Sequence, residues 1–265
     1  MSKCTTFLGL IICLLMSFTE GLGQQLRALP VNYNLCTDMH RNADVHIKRG
    51  LLSLNPRNPS ISPTEADLAF LTTLQEFPIQ KRLLLAVCEF RLGILYRTRE
   101  STYSLPQMYS YLAYAYRLLG VETQKQNLLP SKDQEARKPL HVNYFRKSLS
   151  FYRLALKMER GEFKYTIAVN LVDTLIESGN LTMALNVIRK FERRRLEPSA
   201  PSGHGLIKLK ADIYFELGKY GESGLSYEEW IRKGNVDFYL KPHDILYERL
   251  RKLRDQTGHP NNLPL

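Results

Sequence analysis

The chain has 265 residues, of which 44% are hydrophobic and 24% charged, and its formal net charge at pH 7 is +11. This is the composition of an ordinary globular protein, and the length suffices to bury a sizeable core in one or two domains. No segment beyond the N-terminal region is apolar and long enough to cross a membrane, so we expect a soluble mature chain without a transmembrane span.

The first residues have the organisation of a secretory signal peptide. Lys3 is followed by an apolar run from Phe7 to Phe18. A membrane anchor needs about 20 apolar residues, and Glu20 ends the run before that length is reached. Gly21-Leu22-Gly23 then provides the small residues of a cleavage site. We predict a cleaved signal peptide over residues 1–23, with an uncleaved anchor as the alternative, and hence an exported protein, periplasmic or extracellular.

The mature chain contains two cysteines, Cys36 and Cys88. In an oxidising compartment they could form a disulfide that ties the N-terminal segment to the first helix pair. The alternative is two buried thiols, because Cys88 lies on the apolar face of a predicted helix. Sequence spacing alone leaves both alternatives open.

Residues 25–63, at the start of the mature chain, have weak periodicity. We interpret residues 24–63 as an irregular lead-in that contains at most a short helix around Thr37–Lys48. The sequence Ser62-Pro63-Thr64-Glu65 combines a cap, an early proline and an acidic first turn, which predicts a helix start. Residues 64–98 then form a degenerate helical hairpin.

The rest of the chain alternates between amphipathic helices and glycine-containing breaks. Gly120 is predicted to stop one helix, and the polar, proline-containing residues 121–142 are interpreted as a long insertion. Tight turns are predicted at Gly179-Asn180-Leu181 and at Gly218-Lys219-Tyr220. Residues 236–265 are interpreted as a capping helix, Ile245–Arg254, and a tail.

Small residues recur along the second helices of these pairs. Once the insertion is removed, the period is about 39 residues, in the range of helical repeats. The recurring residues are Ala86, Ser148, Ala184 and Ser223. A single hairpin leaves an apolar face bare, so neighbouring hairpins must stack to bury it.

Two units carry the most complete set of motif residues: Tyr109, Leu112, Ala113, Tyr116, Gly120, Ser148, Tyr152 and Ala155, and then Ile207, Ala211, Tyr214, Gly218, Tyr220, Ser223 and Tyr227. In this pattern residues 105–235 resemble the tetratricopeptide repeat (TPR) family, and residues 64–98 resemble it loosely. Phe191 and Trp230 depart from it, since they replace a small residue. The resemblance implies an all-α fold: a right-handed α-solenoid of about three to four helical hairpins, with an irregular N-terminal segment and a C-terminal capping helix.

The residue patterns of catalysis and of metal binding are missing from the sequence. None of the six histidines is placed at i, i+4 with an acidic partner, and no cysteine pair has metal-ligand spacing. No serine lies in a nucleophile-elbow pattern. We therefore expect neither enzymatic activity nor a cofactor.

In a resembling array, the first helix of each pair lines an inner groove. The predicted groove is mixed to acidic, which favours a partner segment that carries Lys or Arg. Its residues are Tyr114, Arg117, Asn170, Asp173, Glu177, Lys208, Asp212 and Glu216.

Two basic clusters lie towards the ends of predicted helices. They are either solvated helix ends that complement the helix dipole or a docking surface for an acidic protein or an anionic envelope surface. We expect no nucleic acid partner for an exported protein. The cluster residues are Arg189, Lys190, Arg193, Arg194, Arg195, Arg249, Arg251, Lys252 and Arg254.

These features predict a non-catalytic protein–protein interaction scaffold or adaptor in an exported, periplasmic assembly of the cell envelope. The alternative is a structural subunit that polymerises or coats an envelope or appendage assembly. A module that acts on cell-wall glycans would need a pair of carboxylates that the sequence does not reveal.

Overall fold

The computed structural model describes residues 41–56, 61, 64–127, 134–161, 163–193, 204–234 and 245–257. Within these ranges all regular secondary structure is helical, which confirms the all-α prediction. None of the described helices combines the length and the apolar character needed to cross a membrane. The helices are α1 (Ala43–Leu54), α2 (Glu65–Gln75), α3 (Ile79–Leu95), α4 (Leu105–Asn127), α5 (Gln134–Met158), α6 (Phe163–Glu177), α7 (Leu181–Arg193), α8 (His204–Glu216), α9 (Tyr220–Gly234) and α10 (Ile245–Thr257).

Helix α1 corrects the prediction of an irregular segment over residues 24–63, of which residues 24–40, 57–60 and 62–63 lie outside the described part. The side chain of Asn42 caps the helix by accepting a hydrogen bond from the backbone N–H of Asp44 at 2.9 Å. Gly50 weakens the helix pattern in the sequence. In the structure it lies where a Cβ atom would come within 2.5 Å of the Phe90 ring, so its small size allows α1 and α3 to pack closely.

Gly120 does not end a helix, and residues 121–142 do not form a long polar loop. Helix α4 continues through Gly120 to Asn127, and α5 begins at Gln134, with residues 128–133 outside the described part. A Cβ atom on Gly120 would come within 2.9 Å of the buried Phe145 ring. This glycine therefore serves the close packing of α4 on α5, a requirement that only the partner helix reveals.

Two glycine substitutions should separate packing from helix propensity. Gly120→Ala should lower the free energy of unfolding by about 1–2 kcal/mol, because the enclosed Phe145 ring must move. Gly224→Ala should raise it by about 0.5–1 kcal/mol, because a helical glycine is replaced by a better helix former. Gly224→Ala is the matched control, because an added Cβ atom at this position meets nothing within 4 Å. Urea denaturation followed by circular dichroism measures both changes, and a stabilised Gly120→Ala variant would contradict the packing role.

The turns predicted at Gly179 and Gly218 are confirmed. Their φ angles are +76° and +70°, a region that favours glycine. The N–H groups of Asn180 and Lys219 donate to the carbonyl oxygens of Leu175 and Tyr214 at 2.7 and 2.9 Å. The N–H groups of the two glycines donate to the carbonyl oxygens three residues earlier, those of Ile176 and Phe215. Together, the two hydrogen bonds at each turn form a Schellman motif, which ends helices α6 and α8.

The small residues of the repeat pattern are fully buried between helices. Ala86, Ser148, Ala184 and Ser223 are all 0% exposed, as packing positions require. Helix α6 contacts its chain neighbours α5 and α7 and also α4 and α8, one further helix away in each direction. The core thus extends from one helix pair to the next.

Helix α2 begins at Glu65 with Thr64 as its cap, two residues after the predicted Ser62 cap. Asp67 accepts hydrogen bonds from the backbone N–H of Thr64 at 2.7 Å and from Lys48 Nζ of α1 at 2.7 Å. Burial favours the neutral acid, but the hydrogen bonds from Lys48 and Thr64 outweigh it and lower the pKa of Asp67 below its usual value. The ionised carboxylate therefore joins α1 to the first turn of α2.

Because the pKa of Asp67 is lowered on folding, its contribution to stability is present above its unfolded pKa of 3.8. It is lost as the pH falls through the lower folded value. Asp67→Asn should lower the free energy of unfolding by about 1 kcal/mol at neutral pH and by less in strong acid. Denaturation curves at neutral pH and below pH 3.8 measure the difference. An equal cost at both pH values would contradict the role of the charge.

Candidate interaction surface

Arg117 of α4 forms the centre of the predicted groove. Its Nε and Nη2 atoms donate to the two carboxylate oxygens of Glu177 at 2.6 Å each, and its Nη1 atom donates to Asp173 at 3.1 Å. Both carboxylates belong to α6. Tyr114 lies one turn before Arg117, with its ring centroid 5.9 Å from the guanidinium carbon. The structure therefore brings these four predicted groove residues together.

A second ion-pair group joins α8 to α10. Lys208 Nζ donates to Asp212 Oδ2 at 2.9 Å, within α8. Arg249 of α10 donates to Asp212 Oδ1 at 2.7 Å and to Glu216 Oε1 at 2.6 Å. The Tyr227 hydroxyl also donates to Asp212. Arg249 was assigned to the basic docking surface, whereas here it pairs with acidic groove residues.

Asp173 links the two groups electrostatically. Burial raises the pKa of its carboxyl, while the charges of Arg117 and Lys208 act in the opposite direction. The pKa of Arg117 is higher than usual, because its hydrogen bond to Glu177 and the nearby carboxylates outweigh its burial. We call this set the charged row. It runs over α4, α6, α8 and α10 and comprises Arg117, Asp173, Glu177, Lys208, Asp212, Glu216 and Arg249.

The acidic groove residues are thus already paired with cations of the same chain. Glu216 retains the most exposure, with 47% of its side chain accessible, compared with 30% for Asp173. The side chain of Asn170 is half-buried one turn before Asp173. A partner that brings Lys or Arg to this surface would compete with Arg117 and Arg249.

A cleft of about 420 Å³ lies between α5 and the end of α6. Its lining includes the apolar residues Val142, Phe145 and Ile176. Glu177 lines it as well and also belongs to the charged row. The cleft therefore adds apolar surface beside the ion pairs.

The basic clusters are only partly described. Arg189, Lys190 and Arg193 are exposed on α7, while Arg194 and Arg195 lie outside the described residues. On α10 the exposed residues are Arg251 and Lys252, and the side chain of Arg254 is outside the described part. Lys252 Nζ lies 5.5 Å from the centroid of the Phe215 ring.

Cys88 lies in the core, 1% exposed, and forms a disulfide. Its predicted partner Cys36 is outside the described residues, so the Cys36–Cys88 pairing stays a prediction.

Two charged residues of α3 were missed by the sequence analysis. The Oε2 atom of Glu89 lies 2.7 Å from the Nδ1 atom of His46, and both side chains are almost completely buried. Arg91 is 8% exposed. Their signal was present in the sequence, since both interrupt the apolar run of Ile79–Leu95. Charged residues in such a run require an internal partner or a ligand.

Arg117→Ala tests the charged row. It should lower the free energy of unfolding by about 2 kcal/mol, because two carboxylates would lose their shared cation. The matched control is Arg153→Ala, an exposed arginine of α5, which should change stability by less than about 0.5 kcal/mol. Denaturation at low and high salt measures both, and equal effects of the two substitutions would contradict the row's contribution.

Within the described residues, no group of three His, Cys, Asp or Glu side chains is placed to hold a metal ion. No family model, no curated protein and no solved structure matches the chain.

Proposed function

We propose that the protein is a non-catalytic protein–protein interaction scaffold or adaptor of an exported assembly. Its architecture in this proposal is a right-handed α-solenoid of three to four TPR-like hairpins, with α10 as the cap. The supporting observation is the charged row, which lies on every second helix from α4 to α10. Stacked hairpins place their first helices along one shared face, so a row with this periodicity is what such a stack would produce.

The groove in this proposal binds a partner segment that carries Lys or Arg. The partner's cation exchanges with Arg117 or Arg249, and its apolar side chains enter the cleft beside Ile176. Exchange between ion pairs keeps every carboxylate paired, and the displaced arginine has to be rehydrated in return. The basic helix ends serve as a second contact for an acidic protein or an anionic envelope surface.

Export is supported by the signal-peptide pattern of residues 1–23 and by the disulfide at Cys88. Disulfides persist in the periplasm and outside the cell, and they are rare in the cytosol. The proposed location is therefore periplasmic or extracellular.

The experiment is affinity capture with the mature protein from its own envelope fraction, at moderate and high salt. The test variant is Asp173→Asn/Asp212→Asn, which removes two groove charges while keeping hydrogen-bond acceptors. The matched control is Glu222→Gln/Asp255→Gln, two exposed acidic residues outside the charged row. Groove partners should be lost from the test variant and kept by the control. Retention of all partners by a folded test variant would contradict the groove.

The alternative, a structural subunit that self-associates, has one supporting observation. Leu225 on α9 is 69% exposed and lines a cleft of about 530 Å³ together with Ile231 and Arg232. Analytical ultracentrifugation over a range of concentrations separates the two functions. Concentration-dependent assembly that Leu225→Ser abolishes would favour the subunit, and a monomer throughout would favour the adaptor.

A further inference from the structure

Arg91 is a buried cation whose hydrogen-bond donors are not all used by the residues that the structure describes. It lies on α3 with only 8% of its surface exposed. Its Nη1 atom is buried and has no hydrogen-bond partner among the residues that the structure describes. A buried guanidinium without an anion is strongly destabilising, since burial removes its hydration and nothing replaces it.

Lys147 on α5 is a second cation, and its charge interacts with that of Arg91. Burial lowers the pKa of Lys147 on α5, and the charge of Arg91 lowers it further. In the described part of the chain, no carboxylate contributes to this shift. The two cations therefore repel one another without an intervening acid.

Two tyrosines complete the site. The Lys147 ammonium lies 5.5 Å from the centroid of the Tyr116 ring, and the Tyr116 and Tyr144 rings stack at 6.3 Å. Burial raises the pKa of Tyr116 to about 12, so its hydroxyl is neutral at physiological pH and does not neutralise the cations. We call this group of Arg91, Lys147, Tyr116 and Tyr144 the α3–α5 site.

Several other partly buried cations that the structure describes pair with carboxylates. Lys48 pairs with Asp67, Arg117 with Asp173 and Glu177, and Arg249 with Asp212. The α3–α5 site differs from these pairs, because the charges of Arg91 and Lys147 act on one another.

We propose that the α3–α5 site binds a carboxylate side chain from an acidic segment of a protein partner. The guanidinium of Arg91 receives the carboxylate through its planar fork, and Lys147 adds the second charge. The tyrosine rings cover the aliphatic part of the bound side chain. This inference rests on the proposed interaction function and names one partner chemistry.

The degree of burial selects a single side chain over an extended anionic surface. A flat lipid surface contacts exposed basic side chains, whereas only 8% of the Arg91 surface is exposed. The net charge of +11 also attracts acidic proteins over a longer range.

Fluorescence anisotropy with a fluorescein-labelled, glutamate-rich peptide and the full mature protein tests the proposal. Arg91→Met and Lys147→Met should each weaken binding about tenfold or more. The matched controls are Arg146→Met, the exposed cation next to Lys147, and Lys219→Met, an exposed cation in the turn between α8 and α9. Both controls should change affinity by less than about threefold. Equal losses in all four variants would overturn the proposal in favour of general electrostatic attraction.

Competition distinguishes the source of the anion. Inorganic phosphate and phosphatidylglycerol vesicles should displace the peptide only at high concentration. Arg91-dependent binding of phosphate or vesicles, without Arg91-dependent binding of the peptide, would overturn the assignment to a protein carboxylate.

A stability measurement provides an independent readout. Without peptide, Arg91→Met should raise the melting temperature, because it removes an unpaired buried charge. The peptide should raise the melting temperature of the natural protein and leave that of Arg91→Met unchanged. A lower melting temperature for Arg91→Met would identify a structural role and overturn the proposal.

The two proposals fail differently. Capture of no protein by the natural chain would contradict the interaction function itself. Capture of the same acidic proteins by the natural chain and by Arg91→Met would contradict only the α3–α5 site.

Discussion

Replacing Glu89 by alanine is expected to lower the free energy of unfolding by about 3–5 kcal/mol. Glu89 Oε2 lies 2.7 Å from His46 Nδ1, and the two side chains are 4% and 0% exposed. The pair joins α1 to α3, and the His46 ring stacks on Tyr96 at 5.7 Å. Removal of the carboxylate takes away the acceptor that orients this ring in a site that water does not reach. Urea denaturation followed by circular dichroism measures the loss.

Two variants control this prediction. Glu100→Ala removes an exposed acid from the turn after α3 and should change stability by less than about 0.5 kcal/mol. Replacing both His46 and Glu89 by leucine should recover much of the loss, because a well-packed apolar pair avoids the desolvation of a polar one. A loss below about 1 kcal/mol in Glu89→Ala would contradict the structural role of the pair.

Loss of the disulfide at Cys88 is expected to lower the free energy of unfolding by about 2–4 kcal/mol. The predicted partner Cys36 precedes α1, so this bridge would close a long loop and restrict the unfolded chain. Denaturation with and without reductant measures the effect. Peptide mapping without reduction should recover Cys36 joined to Cys88.

The matched control is Cys36→Ala/Cys88→Ala. Its stability should be insensitive to the reductant, while that of the natural chain should fall. Alkylation of Cys36 in the folded, unreduced protein would contradict the predicted pairing.

Local sequence was sufficient where the structure depends on near neighbours along the chain. Gly179 and Gly218 were predicted as turns, and their positive φ angles follow from the freedom of glycine. The helix start near Thr64 was predicted to within two residues, because capping uses groups only three residues apart. Ala184 and Ser223 were predicted as packing positions and are fully buried.

Local sequence failed where a partner helix determines the role of a residue. Gly50 and Gly120 have a low helix propensity, yet each lies inside a helix. At both positions an aromatic ring of another helix comes so close that only glycine fits. Arg249 was assigned to a basic surface because it lies in a cluster of cations. Its actual contacts, Asp212 and Glu216, are more than 30 residues away in the chain.

The candidate surface also combines features that the sequence predicts with features that depend on contacts between helices. The resemblance to a TPR array implied that Arg117, Asp173 and Glu177 lie on related helix faces, and the structure brings them together. Which charges neutralise one another could not be predicted, because ion pairing depends on side-chain distances across helices. The same limitation concealed the His46–Glu89 pair and the incomplete environment of Arg91.

The amino-acid sequence is sufficient to predict the helical class, the turn glycines and the small packing positions. Each of these follows from backbone conformation or from apolar periodicity within a few turns. The contacts between helices are needed to see that the carboxylates of the charged row are already paired. The same is true of Arg91, whose Nη1 atom is buried without a hydrogen-bond partner among the described residues. Electrostatic energy depends on distance and burial in three dimensions, and residues far apart in the chain set both.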